Sequence, residues 1–401
     1  MYVTVRDRPG GAASAGGRVA TTVLLLGTVS LLTDVSSEMV ASVLPLYLTA
    51  VVGLSPVAYG FLDGIYQGVS AFLRIAGGYA GDRAGYPKWV AVLGYGTSAV
   101  SRIVMPAATG FGAITAVVTA DRLGKGLRTA PRDALIAEAS DPAALGRAFG
   151  VHRALDTIGA ALGPLVAFAL LAAVPGGYDS IFVVSFAFAV AGLAVLVLFV
   201  PNLRTAAGTA RVGLRRVARE VGGRRLRRPL VAAGLLGLVT VGDGFLYLAL
   251  QDRDDFAGRW FPLLYVGTNV AYLALAVPLG RLADRLGRAR VLVAGHGALL
   301  ACYCLAALPA GGAGLTLVVL LLLGVFYAAT DGVLPALVSR LVPDGTRGTG
   351  IASAQTVVAL ARFASSLMFG VLWGVTGPTT ALMLFAVALA LVAPLAWRLL
   401  R

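Results

Sequence analysis

The sequence predicts an all-α membrane protein in which twelve transmembrane helices form two pseudo-symmetric six-helix halves. Hydrophobic residues make up 58% of the 401 residues and charged residues only 13%, whereas soluble proteins carry roughly a quarter charged residues. A bilayer core about 30 Å thick needs about 20 apolar residues per helix, and the chain contains twelve such stretches. The segment Gly78–Gly85 recurs at Gly280–Gly287 with the same Asp-Arg centre. The chain is therefore interpreted as a duplicated half.

The predicted spans follow one another in two sets of six. Spans 1 to 6 lie near residues 20–50, 56–81, 88–108, 111–138, 147–173 and 178–200. Spans 7 to 12 lie near residues 229–250, 260–283, 290–309, 314–340, 349–372 and 378–398. A long basic stretch separates the two sets. We therefore expect an N-terminal half at 1–200, a basic cytoplasmic linker at 201–228 and a C-terminal half at 229–401.

Positive charges lie in alternate loops, which fixes the expected orientation. The basic loops contain Arg6, Arg8 and Arg18 before span 1, Arg83 and Lys88 after span 2, Arg147 and Arg153 at span 5, nine arginines from Arg204 to Arg228, Arg285 to Arg290 after span 8, Arg347 after span 10, and Arg398 and Arg401 at the end. The opposite loops carry only Arg253 and Arg259. The positive-inside rule then places both termini in the cytoplasm, in a multi-pass protein of the cytoplasmic (inner) membrane.

The same distribution excludes nucleic acid as a partner, because the net charge of +14 is spread over membrane loops rather than over one soluble face. Residues 1–17 are polar and run into a span too long for the apolar part of a signal peptide, so we expect no cleavable signal. The protein is expected to be a monomer in the bilayer.

The repeated Gly-x-x-x-Asp-Arg-x-Gly segments resemble the signature loop of the major facilitator superfamily. They comprise Gly78, Asp82, Arg83 and Gly85 after span 2, and Gly280, Asp284, Arg285 and Gly287 after span 8. More narrowly, the segments 34–39 (Asp-Val-Ser-Ser-Glu-Met) and 122–133 resemble a prokaryotic branch of that superfamily that has no settled substrate. The resemblance implies that Asp82 and Asp284 accept hydrogen bonds from a helix of the other half and thereby gate the cytoplasmic side.

Asp34 and Glu38 in span 1 are the predicted proton-coupling residues. They lie four residues apart on one helix face, near the middle of the membrane. Two carboxylates one turn apart in a low dielectric disfavour simultaneous ionisation, so one of them is expected to take up and release a proton. The alternative is that Asp34 is permanently paired with an arginine and only holds helices together.

Span 4 carries Asp121, Lys125, Arg128 and Arg132 on one helical stripe. Such a stripe must line an aqueous cavity or pair with neighbouring helices. The acids available to it are Asp34, Glu38, Asp63 and Asp156. Arg122 resembles the span 4 arginine of proton-coupled drug exporters. The predicted substrate cavity therefore contains Asp63, Asp121, Arg122, Lys125, Arg128, Arg132 and Asp156, with Asp243 in span 7 as the corresponding residue of the second half.

Gly159, Gly163 and Pro164 in span 5 resemble the Gly-x-x-x-Gly-Pro core of the superfamily's antiporter motif. The two glycines share one face and permit close helix approach, while the proline permits a bend. A generic packing face of small residues predicts the same letters. His152 lies just before this motif, where it either titrates near neutral pH or is a satisfied polar residue.

These features predict a proton-coupled secondary active transporter of a small molecule, in particular an efflux antiporter that works by alternating access. The alternative is a proton-coupled importer of an anionic solute, which the in-line bases of span 4 would favour, and a lipophilic substrate is a variant of the first hypothesis. The sequence contains no phosphate-binding Gly-x-x-x-x-Gly-Lys-Ser/Thr loop, so ATP is not expected as the energy source.

An enzyme is not predicted. Asp34 and Glu38 have no second acidic cluster to complete a metal motif, and two distant histidines do not make a zinc site. Cys302 and Cys304 are interpreted as packing residues. We therefore expect neither a metal nor a cofactor, and small-molecule substrate, protons and the lipid bilayer as the partners. A non-transporting sensor or scaffold is the remaining alternative.

Overall fold

The computed structural model describes residues 20–68, 87–141, 144–203, 224–341 and 347–401, and the side chains of 224–225 and 347–349 are not part of that description. The described residues contain helices and turns but no strand. Ten helices in them are long and apolar enough to cross a membrane. The all-α membrane fold predicted from the composition is thus confirmed.

The first half contains helices at the positions of predicted spans 1 to 6. They are Thr21–Leu46, 56–68 as far as described, Pro87–Val104, Gly110–Glu138, Leu145–Ala173 and Tyr178–Leu198. Span 1 ends in a π-helical turn, Tyr47–Val51, which begins two residues after Pro45, whose missing N–H disturbs the hydrogen-bond ladder. The helix of span 4 is long enough to cross the bilayer but carries too many charges to count among the ten apolar helices.

The second half follows the predicted pattern, but two of its spans are interrupted. Span 7 consists of Arg224–Leu238 and Asp243–Asp254, and span 10 consists of Ala313–Thr330 and Val333–Ser339. Spans 8, 9, 11 and 12 are Phe261–Leu286, Arg288–Ala306, Arg347–Thr376 and Pro378–Leu400. The two interruptions were not predicted.

The described residues fall into two compact units. Of the described residues, one unit contains 20–42, 87–141 and 144–203, and the other contains 43–68, 224–341 and 347–401. The second unit therefore holds the end of span 1 and the described part of span 2 beside spans 7 to 12. The division of the sequence into halves at the basic linker remains a prediction.

The first unit has an apolar core that joins spans 1, 3, 4 and 6. Its fully buried members include Val23, Leu26, Ala91, Ile136 and Leu196. The ammonium group of Lys88, at the start of span 3, closes one end of this core. It donates to the carbonyls of Val197 and Val200 at 2.9 and 2.7 Å, which supplies partners to the end of span 6.

An aromatic cluster forms part of the core of the second unit. Phe245 of span 7 meets Tyr59 of span 2 and Phe369 of span 11 in edge-to-face contacts, with ring centroids 4.7 and 4.9 Å apart. Phe369 continues to Phe385 of span 12, at 5.0 Å. Such pairs stabilise beyond their area by about 0.5–1.5 kcal/mol each, so they hold spans 2, 7, 11 and 12 together.

Candidate functional site

The charged stripe of span 4 faces protein, and each of its members pairs with a charged group. Asp121 pairs with Arg102 of span 3 and with its neighbour Arg122. Lys125, Arg128 and Arg132 pair with carboxylates of spans 1 and 5. The stripe thus lies inside the first unit, as expected for a charged row that cannot face lipid.

Asp121 is held more tightly than any other member of the stripe. Both of its oxygens are used, Oδ1 by Arg102 and Oδ2 by Arg122, whose Nε lies 3.0 Å away. Arg102 also donates to the hydroxyl of Ser37 at 3.1 Å, which connects span 3 to span 1. A buried carboxylate that accepts from two guanidinium groups is a structural clamp. Arg102 was missed by the sequence reasoning, although a charge inside predicted span 3 was the available signal.

The two carboxylates of span 1 take different basic partners. Lys125 Nζ lies 3.5 Å from Glu38 Oε1, and both side chains are partly exposed. Arg128 Nη2 lies 3.8 Å from Asp34 Oδ1, and its guanidinium stacks on the ring of Tyr95 at 4.3 Å from the centroid. The Arg128 side chain is only 5% exposed and that of Lys125 is 34% exposed. Asp34 therefore has the drier environment of the two carboxylates.

The carboxyl group of Asp34 also lies next to that of Asp156 in span 5, close enough for the two groups to share a hydrogen bond. Asp156 also lies 3.6 Å from Arg132 Nη1 and 3.3 Å from Arg153 Nη1. Arg132 reaches back to span 1 through Ser30, whose hydroxyl oxygen is 3.2 Å from Nη1. Two carboxyl groups can share a hydrogen bond only when one of them carries a proton. The pair Asp34 and Asp156 is thus a place where spans 1 and 5 can hold one proton between them.

The glycines of span 5 bring this pair together. Asp156, Gly159 and Gly163 are three and then four residues apart and lie on one helix face. A Cβ at Gly159 would lie 2.9 Å from the Cα of Leu31, and one at Gly163 would lie 2.8 Å from the backbone nitrogen of Met39. The backbones of spans 5 and 1 are therefore in direct contact along this face. Pro164 follows within the helix Leu145–Ala173.

His152 extends the same face by one further turn. Its side chain is buried, and neither ring nitrogen has a hydrogen-bond partner among the described residues. Arg132 and Asp156 lie within electrostatic range of it. No described residue satisfies the imidazole, so the described part of the chain gives no support to the interpretation as a satisfied polar residue.

Asp63 and Asp243 lie in the second unit and belong to a separate group. Asp63 Oδ2 accepts from the hydroxyl of Ser366 at 2.6 Å. It also lies against Gly242, where a side chain would collide with the carboxylate. Asp243 accepts a hydrogen bond from the hydroxyl of Tyr327. Gly242 caps the N-terminus of the helix that Asp243 begins, so Asp63 lies at the positive end of a helix dipole.

The second signature segment closes span 8. Asp284 accepts from Arg288 at 2.9 Å and its side chain is 61% exposed. Arg288 also donates to the carbonyl of Ala336, next to the end of span 10. Gly287 ends the helix with a φ of 99°, Gly280 lies within the helix, and Arg285 lies in its last turn. Gly78, Asp82, Arg83 and Gly85 lie outside the described residues, so the predicted gating contacts of both segments stay predictions.

The part of the chain that the structure describes contains no cluster of three or more His, Cys, Asp or Glu residues able to hold a metal ion. Cys302 is buried and donates weakly to the carbonyl of Val319 at 3.4 Å, while Cys304 is exposed. The charged residues of spans 1, 4 and 5 form ion pairs and hydrogen bonds instead.

Comparison with known proteins agrees with this architecture. The family model of the Major Facilitator Superfamily matches residues 26–366 and 261–401. An uncharacterized MFS-type transporter of Methanocaldococcus jannaschii is 31% identical over 371 residues, which are 89% of this chain and 90% of the relative. An uncharacterized protein of Mycobacterium tuberculosis is 32% identical over 157 residues, 39% of this chain and 38% of its own.

Solved structures share the fold at low identity. The nucleoside transporter NupG has a TM-score of 0.81 at 15% identity and covers 94% of this chain and 99% of its own. A POT family transporter in complex with 5-aminolevulinic acid has a TM-score of 0.79 at 12% identity, covering 94% of this chain and 95% of its own. The human organic anion transporter MFSD10 has a TM-score of 0.63 at 18% identity, covering 95% and 99%.

Proposed function

The chain belongs to the major facilitator superfamily, and we propose that this multi-pass membrane transporter is a proton-coupled antiporter that exports a small molecule by alternating access. The Asp34 and Asp156 pair is the observation that carries the proposal. It brings together carboxyl groups of two transmembrane helices, which can share one proton between them. Each carboxyl also faces a guanidinium, at 3.8 Å for Asp34 and 3.6 Å for Asp156.

The coupling follows from these contacts. When the pair loses its proton, two carboxylates face each other in a site of low dielectric, so their repulsion favours stronger ion pairs with Arg128 and Arg132. When the pair gains a proton, one guanidinium loses part of its partner and becomes available to other groups. Proton binding and the position of spans 1, 4 and 5 therefore depend on one another. A substrate that binds one protonation state better shifts this equilibrium, which is the condition for coupled transport.

Export is favoured over import by two features. The Gly159, Gly163 and Pro164 face packs span 5 directly on the helix that carries Asp34, as the resemblance to antiporters would require. In addition, the basic residues of span 4 each already face a carboxylate, so an anionic substrate would have to compete with these carboxylates. The second candidate, a proton-coupled importer of an anionic solute, needs these bases and is therefore the weaker one.

The setting of the transporter is proposed from the charge pattern of the loops. We place it in the cytoplasmic membrane as a monomer with both termini in the cytoplasm. Access to the substrate site alternates as the N-terminal half at 1–200 moves against the C-terminal half at 229–401. Asp82 and Asp284 act as cytoplasmic gates in this proposal. In the described residues, Asp284 is held by Arg288.

Asp34→Asn tests the proposal, because asparagine imitates the protonated carboxyl permanently. A thermal-shift screen of the purified protein first supplies a ligand, since a compound that binds only the folded state raises its melting temperature. Flux of that ligand is then measured in proteoliposomes with and without an imposed pH gradient. We expect Asp34→Asn to lose gradient-driven accumulation while downhill exchange continues. Glu38→Gln should have the weaker effect, because the side chain of Glu38 is more exposed than that of Asp34.

Asp133→Asn is the matched control. Its carboxylate also binds Arg132, at 3.0 Å, but it is half-exposed and is not bonded to another acid. The control should therefore accumulate substrate like the parent protein. Gradient-driven accumulation by Asp34→Asn at the parental rate would transfer the coupling role to another carboxylate.

A further inference from the structure

The interruption of span 7 is stabilised by hydrogen bonds from side chains of two other spans in the second unit. Residues 239–242 are not helical. The hydroxyl of Tyr303 in span 9 accepts from the N–H of Val241 at 2.8 Å and donates to the carbonyl of Val239 at 3.1 Å. Ser365 of span 11 donates to the carbonyl of Thr240 at 2.8 Å. Non-helical backbone within a membrane span is tolerated only where protein or water satisfies it, and in transporters it commonly marks a binding site.

The interruption of span 10 lies beside it. The helix Ala313–Thr330 ends at Asp331, and the chain turns through Gly332 before the helix Val333–Ser339. Tyr327, one turn earlier, donates its hydroxyl to Asp243 at the start of the second helix of span 7. This hydrogen bond connects the two breaks, with Asp243 at the break of span 7 and Asp331 at the break of span 10.

The side chain of Asp331 has no hydrogen bond or ion pair to any described residue, although Asp331 lies within a candidate membrane span. The residue as a whole is exposed. A carboxylate within a membrane span cannot face lipid at acceptable cost, so its exposed surface must meet water or a ligand. Asp63 and Asp243, by contrast, are already bonded to Ser366 and Tyr327.

Arg362 of span 11 is the corresponding unpaired cation. Its Nε is buried without a hydrogen-bond partner, and no carboxylate of the described residues lies within ion-pair distance of its guanidinium. It does lie within electrostatic range of Asp331, Asp243 and Tyr327. A guanidinium offers five N–H donors in a planar fork that fits a carboxylate, and here none of them is used by a described residue.

The charges around these two residues restrict the ligand. A simple anion on Arg362 would be repelled by the carboxylates of Asp243 and Asp331, and a simple cation on Asp331 would be repelled by the guanidinium of Arg362. A molecule with both charges meets an opposite charge at each end. We propose that Asp331 and Arg362, at the breaks of spans 7 and 10, bind the ammonium and the carboxylate of a zwitterionic substrate of the amino acid or short peptide class.

This inference rests on the proposed function, because it names the substrate class of the transporter. The site lies in the second unit and contains neither Asp34 nor Asp156. Substrate recognition and proton coupling can therefore be separated by experiment.

The test measures melting temperature and affinity of the purified full chain with three sets of probes. The common amino acids and phenylalanine-containing dipeptides form the first set. Their methyl esters, which lack the carboxylate, and their N-acetyl forms, which lack the ammonium, form the second and third. At least one parent compound should stabilise the protein, and each blocked form should bind about tenfold more weakly or worse, because it loses a charge-assisted contact.

Variants assign each charge to its residue. In Arg362→Gln the parent compound and its methyl ester should bind equally weakly, and in Asp331→Asn the parent compound and its N-acetyl form should do so. Arg362→Lys retains the charge without the fork and should still discriminate against the ester, with reduced affinity, which guards against loss of folding in the glutamine variant. Arg340→Gln is the matched control, since Arg340 is an exposed residue of the same region, and it should change neither preference.

Two results overturn the inference. One is that no parent compound stabilises the protein, and the other is that the esters or the N-acetyl forms bind as well as the parents. The Asp34→Asn variant should bind the parent compounds normally. Gradient-driven flux of some other class of substrate, together with failure of these probes, would overturn the substrate class and leave proton coupling intact.

Discussion

Gly163→Ala should separate span 5 from span 1 and weaken the carboxyl pair that these spans hold. The added Cβ would lie 2.8 Å from the Cβ of Glu38 and from the backbone nitrogen of Met39, and 2.9 Å from the carbonyl oxygen of Val35. Ordinary contact begins at 3.4 Å, so the helices must move apart by about half an ångström. Backbone atoms form two of these contacts, and they cannot rotate out of the way as the end of a side chain can.

The magnitude follows from two opposing effects. Overpacking of this kind costs about 1–3 kcal/mol, whereas replacing glycine by alanine inside a helix contributes about 1 kcal/mol of stability. We expect a net loss of up to about 2 kcal/mol. Because Asp156 lies on the same face as Gly163, the contact between Asp34 and Asp156 should lengthen as well. Proton-coupled flux should therefore fall further than the stability alone would explain.

Gly150→Ala in the same helix is the control, because a Cβ there would meet nothing within 4 Å. Melting temperatures of both variants in detergent give the stability effect, and flux in proteoliposomes gives the functional one. The control should be as stable as the parent or slightly more stable. Equal melting temperatures for the two variants would refute the backbone contact between spans 1 and 5.

Three further outcomes are expected. Arg128→Ala should cost a few kcal/mol, since it removes the guanidinium that faces the buried carboxyl group of Asp34. Lys125→Ala should cost less than about 1 kcal/mol, because its ion pair with Glu38 is partly exposed; thermal melting compares the two variants. Arg102→Met should destabilise by about 3–5 kcal/mol, and combining it with Asp121→Leu should recover part of that loss, so a double variant less stable than either single variant would refute the clamp. Asp284→Asn should lower the melting temperature little, because its ion pair is exposed, yet change the labelling of engineered cytoplasmic cysteines; unchanged labelling would argue against the gate.

The positions of the helices could be predicted because each depends on a local property, the length of an apolar stretch. The start of span 4 at Gly110 and the end of span 5 at Ala173 agree with the predicted ranges to within one residue. The breaks of spans 7 and 10 could not be predicted. The break of span 7 depends on hydrogen bonds from Tyr303 and Ser365, which lie more than 60 residues away from the segment that they hold.

The candidate site divides in the same way. The common stripe of span 4 follows from helical periodicity, and the structure places all of its charges against partners. The acidic neighbour of Asp34 could not be predicted in this way. The sequence spacing indicates Glu38 on the same helix, whereas helix packing brings Asp156 of span 5 next to Asp34. That contact follows from the close approach at Gly159 and Gly163, which letters alone do not distinguish from a generic small-residue face. Asp63 joined the second unit for the same reason, because only packing decides which helices meet.

The charged helix of span 4 has a consequence for how the protein is made. Asp121, Arg122, Lys125, Arg128 and Arg132 lie within one helix of the bilayer, and charges of this kind cost roughly 2.5–3.5 kcal/mol each at the centre of an isolated inserting helix. Span 4 therefore cannot leave the translocon alone. Its partners Arg102, Asp34 and Glu38 belong to spans that are synthesised earlier. These neutralising charges are therefore already in the membrane when span 4 inserts. Asp156, which belongs to span 5, is synthesised after span 4.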